Sequence, residues 1–428
     1  MSTLKSVRGT RDLLPPETTL WNRIEATARR VFERYSFGEI RTPIFEDTQL
    51  FSRTVGEETD IVSKEMYTWV DQPRAQSEKA QSLTLRPENT AGVVRAYIEH
   101  QLGETGQLQK LYYIGPQFRR ERPQKGRYRQ FSQIGAEVIG PPSAGSESPL
   151  RDAEVLEMLA TFLNELGIAG WKLKINSVGS AEDRPRYIAV LREALQPVVG
   201  QMCEDCRRRA DTNPLRVLDC KVPEDQPIIA QLPRIWDSLD AASQAHFSAV
   251  CAALDACGVP YEQDHRLVRG LDYYTRTTFE FIDESGGALG AQNAFVGGGR
   301  YDGLSEAIGG PKAPGIGFAI GEDRLVLAIE AQAKQEPVLA EAYIAPLGDA
   351  MNAPALVLAK ELRAAGLRIE LGAGSFRLKK SFETANKLAR AIVILGEDEV
   401  ASGILTVKNF ATGEQSKVHR DELSQWLA

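Results

Sequence analysis

The chain has 428 residues, 43% of them hydrophobic and 25% charged, with a formal net charge of −7. That length exceeds one ordinary core and predicts roughly two to four domains of about 100–200 residues each. The acidity excludes a generic nucleic-acid coat, so any polyanion site must be a local patch. No apolar run approaches the ~20 residues that span a bilayer, and "MSTLKSVRGTRDLLPP" has no secretory h-region, which predicts a cytoplasmic protein with no membrane partner.

Residues 17–35 read as a helix, with Leu20, Ile24, Ala28, Val31 and Tyr35 on one stripe after Pro15 and Pro16. "EIRTPIFED" reads as a strand that Pro43 places at an edge or an interface. The apolar stripe and the Pro-containing strand together predict a partner surface within residues 1–50, and hence a homodimer. Residues 71–82 are polar and loop-like. "TLRPENTAGVVRAYIEH" reads as a short strand, then a helix capped by Asn89 or Thr90 and carrying Val93, Val94, Tyr97 and Ile98.

"KLYYIGPQFRR" and "RQFSQIGAEVIG" read as a hairpin. Its loop is strongly basic: six of the eleven residues from Arg119 to Arg129 are Lys or Arg. Alternation puts Tyr113, Gly115, Gln117 and Arg119 on one face of the first strand, and Gln133, Gly135 and Glu137 on one face of the second. This polar floor contains glycine, which leaves room for something to lie against the sheet. The plainer alternative is a solvated outer face of a half-buried sheet.

Residues 180–262 hold all five cysteines and read as an inserted, mostly helical module. "CEDC" and Cys220 bring three thiols close in sequence, and a structural zinc would need a fourth ligand, His246 or Cys251. With no second CxxC, reduced thiols are the plainer reading and no metal ligand is assigned. Strand patterns resume over 263–330. "AQAKQEP" then reads as a linker, followed by a βαβ-like domain over 335–428. Residues 1–179 and 263–330 would form two parts of one core.

"GGGRYDG" and "GIGFAIG" fit neither a P-loop nor a dinucleotide fingerprint, and read as tight turns between strands. Arg119, Arg269 and Arg324 lie at strand ends or helix starts in separate segments and could converge on a polyphosphate, because a guanidinium offers phosphate a planar fork of donors. No Ser-His-Asp order or HExxH occurs, and none of the four histidines sits in a motif. Chemistry by positioning and charge stabilisation fits this better than a protein nucleophile.

"RGTRDLLP", "EIRTPIFED", "LRPENTAG", "YYIGPQFRRERPQKGRYRQFSQIGAEVIG", "LVRGLDYYTRTTFEF" and "GIGFAIGEDRLVLAI", in this order, resemble the blocks of class II aminoacyl-tRNA synthetases, specifically the bacterial histidyl-tRNA synthetase family. The resemblance covers nearly the whole chain. It implies an α+β fold: an antiparallel β-sheet catalytic core flanked by helices, a helical insertion and a C-terminal α/β anticodon-binding domain. It implies ATP-dependent attachment of L-histidine to tRNA(His) through a histidyl-adenylate, with Mg²⁺ accompanying ATP, in a homodimer.

The roles it implies follow residue by residue. Arg119 and Arg269 would be catalytic, gripping the histidine carboxylate and the α-phosphate. Glu88, Asn89, Thr90 and Gln133 would surround the histidine backbone, while Glu137 and Tyr274 read the imidazole with Tyr273 and Tyr301 nearby. ATP would contact Arg119, Glu121, Phe131 and Arg324. Arg122, Gln124, Lys125, Arg127 and Arg129 would meet the tRNA acceptor end. Asn89 stands where the family block has glycine, and Ser132 where it has histidine. Two other readings are a regulatory subunit of ATP phosphoribosyltransferase, which binds histidine without charging tRNA, and a prolyl or threonyl synthetase. The "RGLDYY" block, Glu137 and the ~100 residues after the linker weigh against them.

Overall fold

Leu20, Ile24, Ala28 and Val31 form one buried face of the helix Glu17–Arg34 in the computed structural model, which describes residues 3–56, 59, 61–72, 80–124, 126–284, 293–332 and 338–428. This stripe joins Phe162, Ile134 and Phe318 in the core of its own chain. It is therefore not the partner surface that the sequence suggested.

"EIRTPIFED" is not one strand either. It divides into β1 (Gly38–Glu39) and β2 (Phe45–Asp47), which join different sheets. Pro43 falls between them and has no N–H for a ladder. Arg86 Nη1 holds the break by donating to the Thr42 carbonyl at 3.1 Å. With β3 (Tyr67–Asp71) and β4 (Gln81–Leu85), β2 makes a three-stranded sheet in the order β2-β4-β3.

The larger sheet adds β5 (Gln109–Phe118), β6 (Gln130–Ile139), β7 (Trp171–Ser177), β8 (Tyr261–Gln263), β9 (Thr275–Asp283), β10 (Ala294–Tyr301) and β11 (Gly315–Gly321). Its order is β1-β5-β6-β11-β10-β9-β7-β8. All central pairings are antiparallel, as expected, but the short edge strands β1 and β8 pair in parallel. Apolar residues of the helices Glu17–Arg34, Pro149–Glu165, Ala241–Cys257 and Glu322–Gln332 share one core with this sheet. Phe247, Val250, Cys251 and Leu254 thus belong to the main core, whereas the short elements before them gather around Tyr187, Leu191, Leu215 and Ile229.

Glu322, fully buried at the start of its helix, has no ion pair with Lys or Arg among the described residues. Burial pushes its carboxyl up to about 8, although Ser132 beside it pulls the other way. The folded chain therefore binds a proton that the unfolded chain releases above about pH 4.5. This contribution is fully present below that pH and is lost as pH rises through about 8. Glu322→Gln removes the charge but buries an amide, so the net gain should be about 1–2 kcal/mol at pH 8 and smaller at pH 5. Thermal melts at the two pH values check this, and equal shifts at both would contradict it.

The chain divides into two compact units, Met1–Gln335 and Glu336–Ala428. The second holds β12 (Ala340–Pro346), β13 (Ile369–Leu371), β14 (Ala389–Leu395), β15 (Ile404–Asn409) and β16 (Gln415–His419), in the order β13-β12-β14-β15-β16. The first three pair in parallel, as a βαβ pattern requires, and β14, β15 and β16 pair antiparallel. Leu358, Ala359 and Leu362 of the helix Asn352–Ala364 pack in one apolar cluster with the sheet, and Ala385 of the helix Leu378–Leu388 in a second. Arg377, Lys379, Lys380 and Lys387 are exposed at that second helix.

Candidate active site

The polar floor of β5 and β6 continues across β11, β10 and β9, and two cavities lie along it. One measures about 150 Å³ and the other about 820 Å³. Arg119, Gln133, Arg269, Gly297 and Ala319 line both, so the cavities meet at two arginines.

The smaller cavity gathers Glu88, Thr90, Glu137, Tyr273, Tyr274 and Tyr301. Glu137 is almost fully buried, and Thr90 Oγ1 and the Tyr301 hydroxyl donate to its two oxygens at 2.7 Å each. Burial pushes its carboxyl up to about 8; the two hydrogen bonds oppose that shift, and nearby Glu88 adds to it. Gly317 on the neighbouring strand admits this carboxylate, with which a Cβ would collide. Gly135 does not leave room for a ligand ring, because the Tyr113 side chain already fills that space.

Glu88 reaches back over the helix Thr90–Glu99 and accepts from the N–H groups of Thr90 and Ala91 at 2.9 Å each. It satisfies two donors that a helix start leaves open. The expected caps do not act: Asn89 makes no capping bond and instead accepts from Thr42 Oγ1 at 2.6 Å. Asn89 consequently does not line the smaller cavity, the one histidine candidate left outside it.

In the larger cavity Glu121, Phe131 and Arg324 stand with Arg119. Arg119 Nε donates to the Pro87 carbonyl at 2.9 Å, and its guanidinium lies 5.4 Å from the Phe131 ring centre. Arg324, in the first turn of the helix Glu322–Gln332, donates to the Ala294 carbonyl. Arg269 pairs with Glu280, lies 5.9 Å from the Tyr274 ring centre and rests against Gly297, where a Cβ would collide with its guanidinium.

The basic loop divides. Arg122 and Gln124 are exposed, and Lys125 lies outside the described residues. Arg127 faces the larger cavity and donates to Glu121 at 2.9 Å. Arg129 is tied to the N-terminal segment, its backbone N–H donating to the Gly9 carbonyl at 2.7 Å and its Nη1 to the Arg8 carbonyl at 3.2 Å. Two of the five expected acceptor contacts are thus engaged within the chain.

Sequence reasoning missed Glu280, Gly297 and Gly317. "GGGRYDG" and "GIGFAIG" were read as turns, yet Gly297, Gly298 and Gly299 lie within β10 and all of "GIGFAIG" forms β11. Those glycines let side chains lie flat on the sheet.

The family model described as histidyl-tRNA synthetase matches residues 9–325, and the anticodon binding domain model matches residues 341–428. The chain belongs to the histidyl-tRNA synthetase family. It is 69% identical to the histidine–tRNA ligase of Koribacter versatilis (strain Ellin345), over 99% of this chain and 96% of that one. Against the histidine–tRNA ligase of Solibacter usitatus (strain Ellin6076) the identity is 56%, over 99% of each. The crystal structure of apo Staphylococcus aureus histidyl-tRNA synthetase superposes with a TM-score of 0.79 at 38% identity, over 99% of this chain and all of that one. The family is one of class II aminoacyl-tRNA synthetases, and the sheet-and-helix core with a C-terminal α/β unit is its fold. Among the described residues no helix is long and apolar enough to cross a membrane.

Proposed function

We propose that the two cavities hold histidine and ATP for the histidine–tRNA ligase reaction. The observation that carries this reading is their junction at Arg119 and Arg269. A histidine in the smaller cavity would present its carboxylate there, and an ATP in the larger one its α-phosphate. An oxygen of the carboxylate attacks the α-phosphorus, the bond to diphosphate breaks, and histidyl-adenylate remains. A terminal ribose hydroxyl of tRNA(His) then attacks the histidyl carbonyl, and AMP leaves.

The residues divide the work. Arg119 and Arg269 neutralise the charge that builds between carboxylate and phosphate. Glu280 fixes Arg269 in place. Phe131 and Arg324 flank the adenine, and Glu121 borders the phosphates. Glu88, Thr90 and Gln133 hold the α-amino group, and Glu137 with Tyr274 reads the imidazole. Mg²⁺ binds characteristically through one or two carboxylates plus substrate phosphates, and Glu121 and Glu280 are carboxylates that border the larger cavity. The ion would supply charge neutralisation on the phosphates. Exposed Arg122 and Gln124, with Lys125 next in the sequence, remain the acceptor-end candidates, and the basic helix of the second unit is the anticodon-side candidate. Residues 1–179 and 263–330 serve as the catalytic core, 180–262 as an insertion whose last helix, Ala241–Cys257, packs into that core, and 335–428 as the anticodon-binding part, in a cytoplasmic enzyme. A histidine-binding regulatory subunit is the weaker reading, because this chain carries Arg269 at the cavity junction and the anticodon-binding match.

Removal of residues 336–428 should leave histidine-dependent pyrophosphate exchange largely intact and cripple tRNA charging, since every residue of both cavities precedes that unit. Parallel loss of both activities in a folded truncation would break this division.

The same reading includes a homodimer. Leu4, Val7, Leu14, Ile44, Phe45, Trp69 and Val70 are exposed apolar residues at the N-terminus and on the three-stranded sheet, with the Phe45 and Trp69 rings 6.1 Å apart. Light scattering on a sizing column should give twice the chain mass, and a monomer at micromolar concentration would contradict it.

A further inference from the structure

We propose that Cys203, Cys206, Cys220 and Asp225 bind one Zn²⁺ as a structural site within the short-element segment between β7 and the helix Ala241–Cys257. Their ligand atoms all lie within 4.8 Å of one another. Cys203 Sγ and Cys220 Sγ are 3.9 Å apart, and Cys220 Sγ lies 3.3 Å from Asp225 Oδ2. A tetrahedral zinc with Zn–S of ~2.3 Å and Zn–O of ~2.0 Å sets its sulfurs about 3.8 Å apart and a sulfur and oxygen about 3.5 Å apart. Cys203, Cys220 and Asp225 therefore already stand near coordination spacing, and Cys206 Sγ lies within 4.8 Å of each of them. A disulfide would require sulfurs about 2.05 Å apart, and all five cysteines are free.

The surroundings suit the ion. Cys206, Cys220 and Asp225 are buried, and Asp225 pairs with no Lys or Arg among the described residues. A buried carboxylate without a Lys or Arg partner is one that a metal ion can take as its counter-charge. Backbone N–H groups of Cys206 and Val222 point at Cys203 Sγ and Cys220 Sγ, each at 3.4 Å, contacts of the kind that orient ligating sulfurs. The Cys203 N–H donates to Asp225 Oδ1 at 3.0 Å and orients the carboxylate. On binding, each thiol releases its proton to solvent. Three soft thiolates with one carboxylate, four ligands in one cluster, suit zinc.

Neither fourth ligand expected from the sequence takes part. His246 lies 3.6 Å from Asp152, and Cys251 contacts Gln263 in the main core. Asp225 takes that place, brought in by the turn Pro223–Asp225. The site has a structural purpose. The segment consists of short helices and turns around a small core, and a metal supplies what such a core lacks. Cys203, Cys220, Lys221, Val222 and Pro223 also border the larger cavity, so the ion would brace one of its walls.

The test is metal content by mass spectrometry on full-length protein purified without added metal or chelator. About one zinc per chain is expected, falling roughly tenfold or more in Cys206→Ser and Asp225→Asn. Should these variants not fold, the wild type decides by alkylation: Cys203 should be protected and become about tenfold more reactive once a chelator is added, while exposed Cys257 reacts equally in both states. Wild-type protein without zinc, Cys203 reactivity indifferent to chelator, or a Cys203–Cys220 disulfide in the peptide map would each overturn the proposal.

Discussion

Arg269→Ala is expected to lower the rate constant for adenylate formation by about 100–1,000-fold, or ~2.7–4 kcal/mol, with much smaller changes in ATP and histidine affinity. Arg269 lies where the cavities join, paired with Glu280 and seated on Gly297. A guanidinium so fixed needs no reorganisation as charge builds between carboxylate and α-phosphate. Its contribution is therefore concentrated in the transition state. Gly297→Ala provides a second reading of the same geometry, because its methyl group would displace the guanidinium while leaving its charge present. Single-turnover kinetics separate rate from binding. Equal losses in both would make Arg269 a substrate clamp.

Glu137→Gln is expected to weaken histidine use by about 10- to 150-fold, matching the roughly 1.5–3 kcal/mol of a buried hydrogen bond to a charged group, and to leave ATP use nearly unchanged. The carboxyl is held by Thr90 and Tyr301 in the wall of the smaller cavity. Because burial pushes it up to about 8, the unliganded site carries a proton at pH 7. Free imidazole has a pKa near ~6.5 and is mostly neutral there. When the two meet, the carboxyl proton passes to the free ring nitrogen, and the resulting carboxylate–imidazolium contact is a charge-assisted hydrogen bond that an amide cannot reproduce. Pyrophosphate exchange measured against each substrate separately checks this. Losses of similar size for ATP and histidine would mean that Glu137 only balances nearby charge.

Much of this site was legible because residues along β5 and β6 alternate between an apolar core face and a polar floor. Period two alone put Arg119, Gln133 and Glu137 on one floor, and the structure keeps them there. What failed depended on contacts between distant segments. Whether Asn89 or Glu88 caps a helix depends on Thr42, which draws Asn89 away. The apolar stripe of the first helix has the same period whether it meets a second subunit or its own chain. Strand glycines look like turn glycines until Arg269, Tyr274 and Glu137 are seen lying against them. Asp225 was invisible as a partner of the thiols because an acid carries no motif of its own. The parallel edge strands, only two and three residues long, are too short to show a period.

The central claim is that the smaller cavity selects histidine and passes it to ATP in the larger one. Pyrophosphate exchange by the full-length protein, run with each standard amino acid in turn and followed by charging of tRNA(His), tests it most directly. The account predicts exchange and charging with L-histidine alone. Exchange supported by another amino acid, or histidine binding without any exchange, would contradict it.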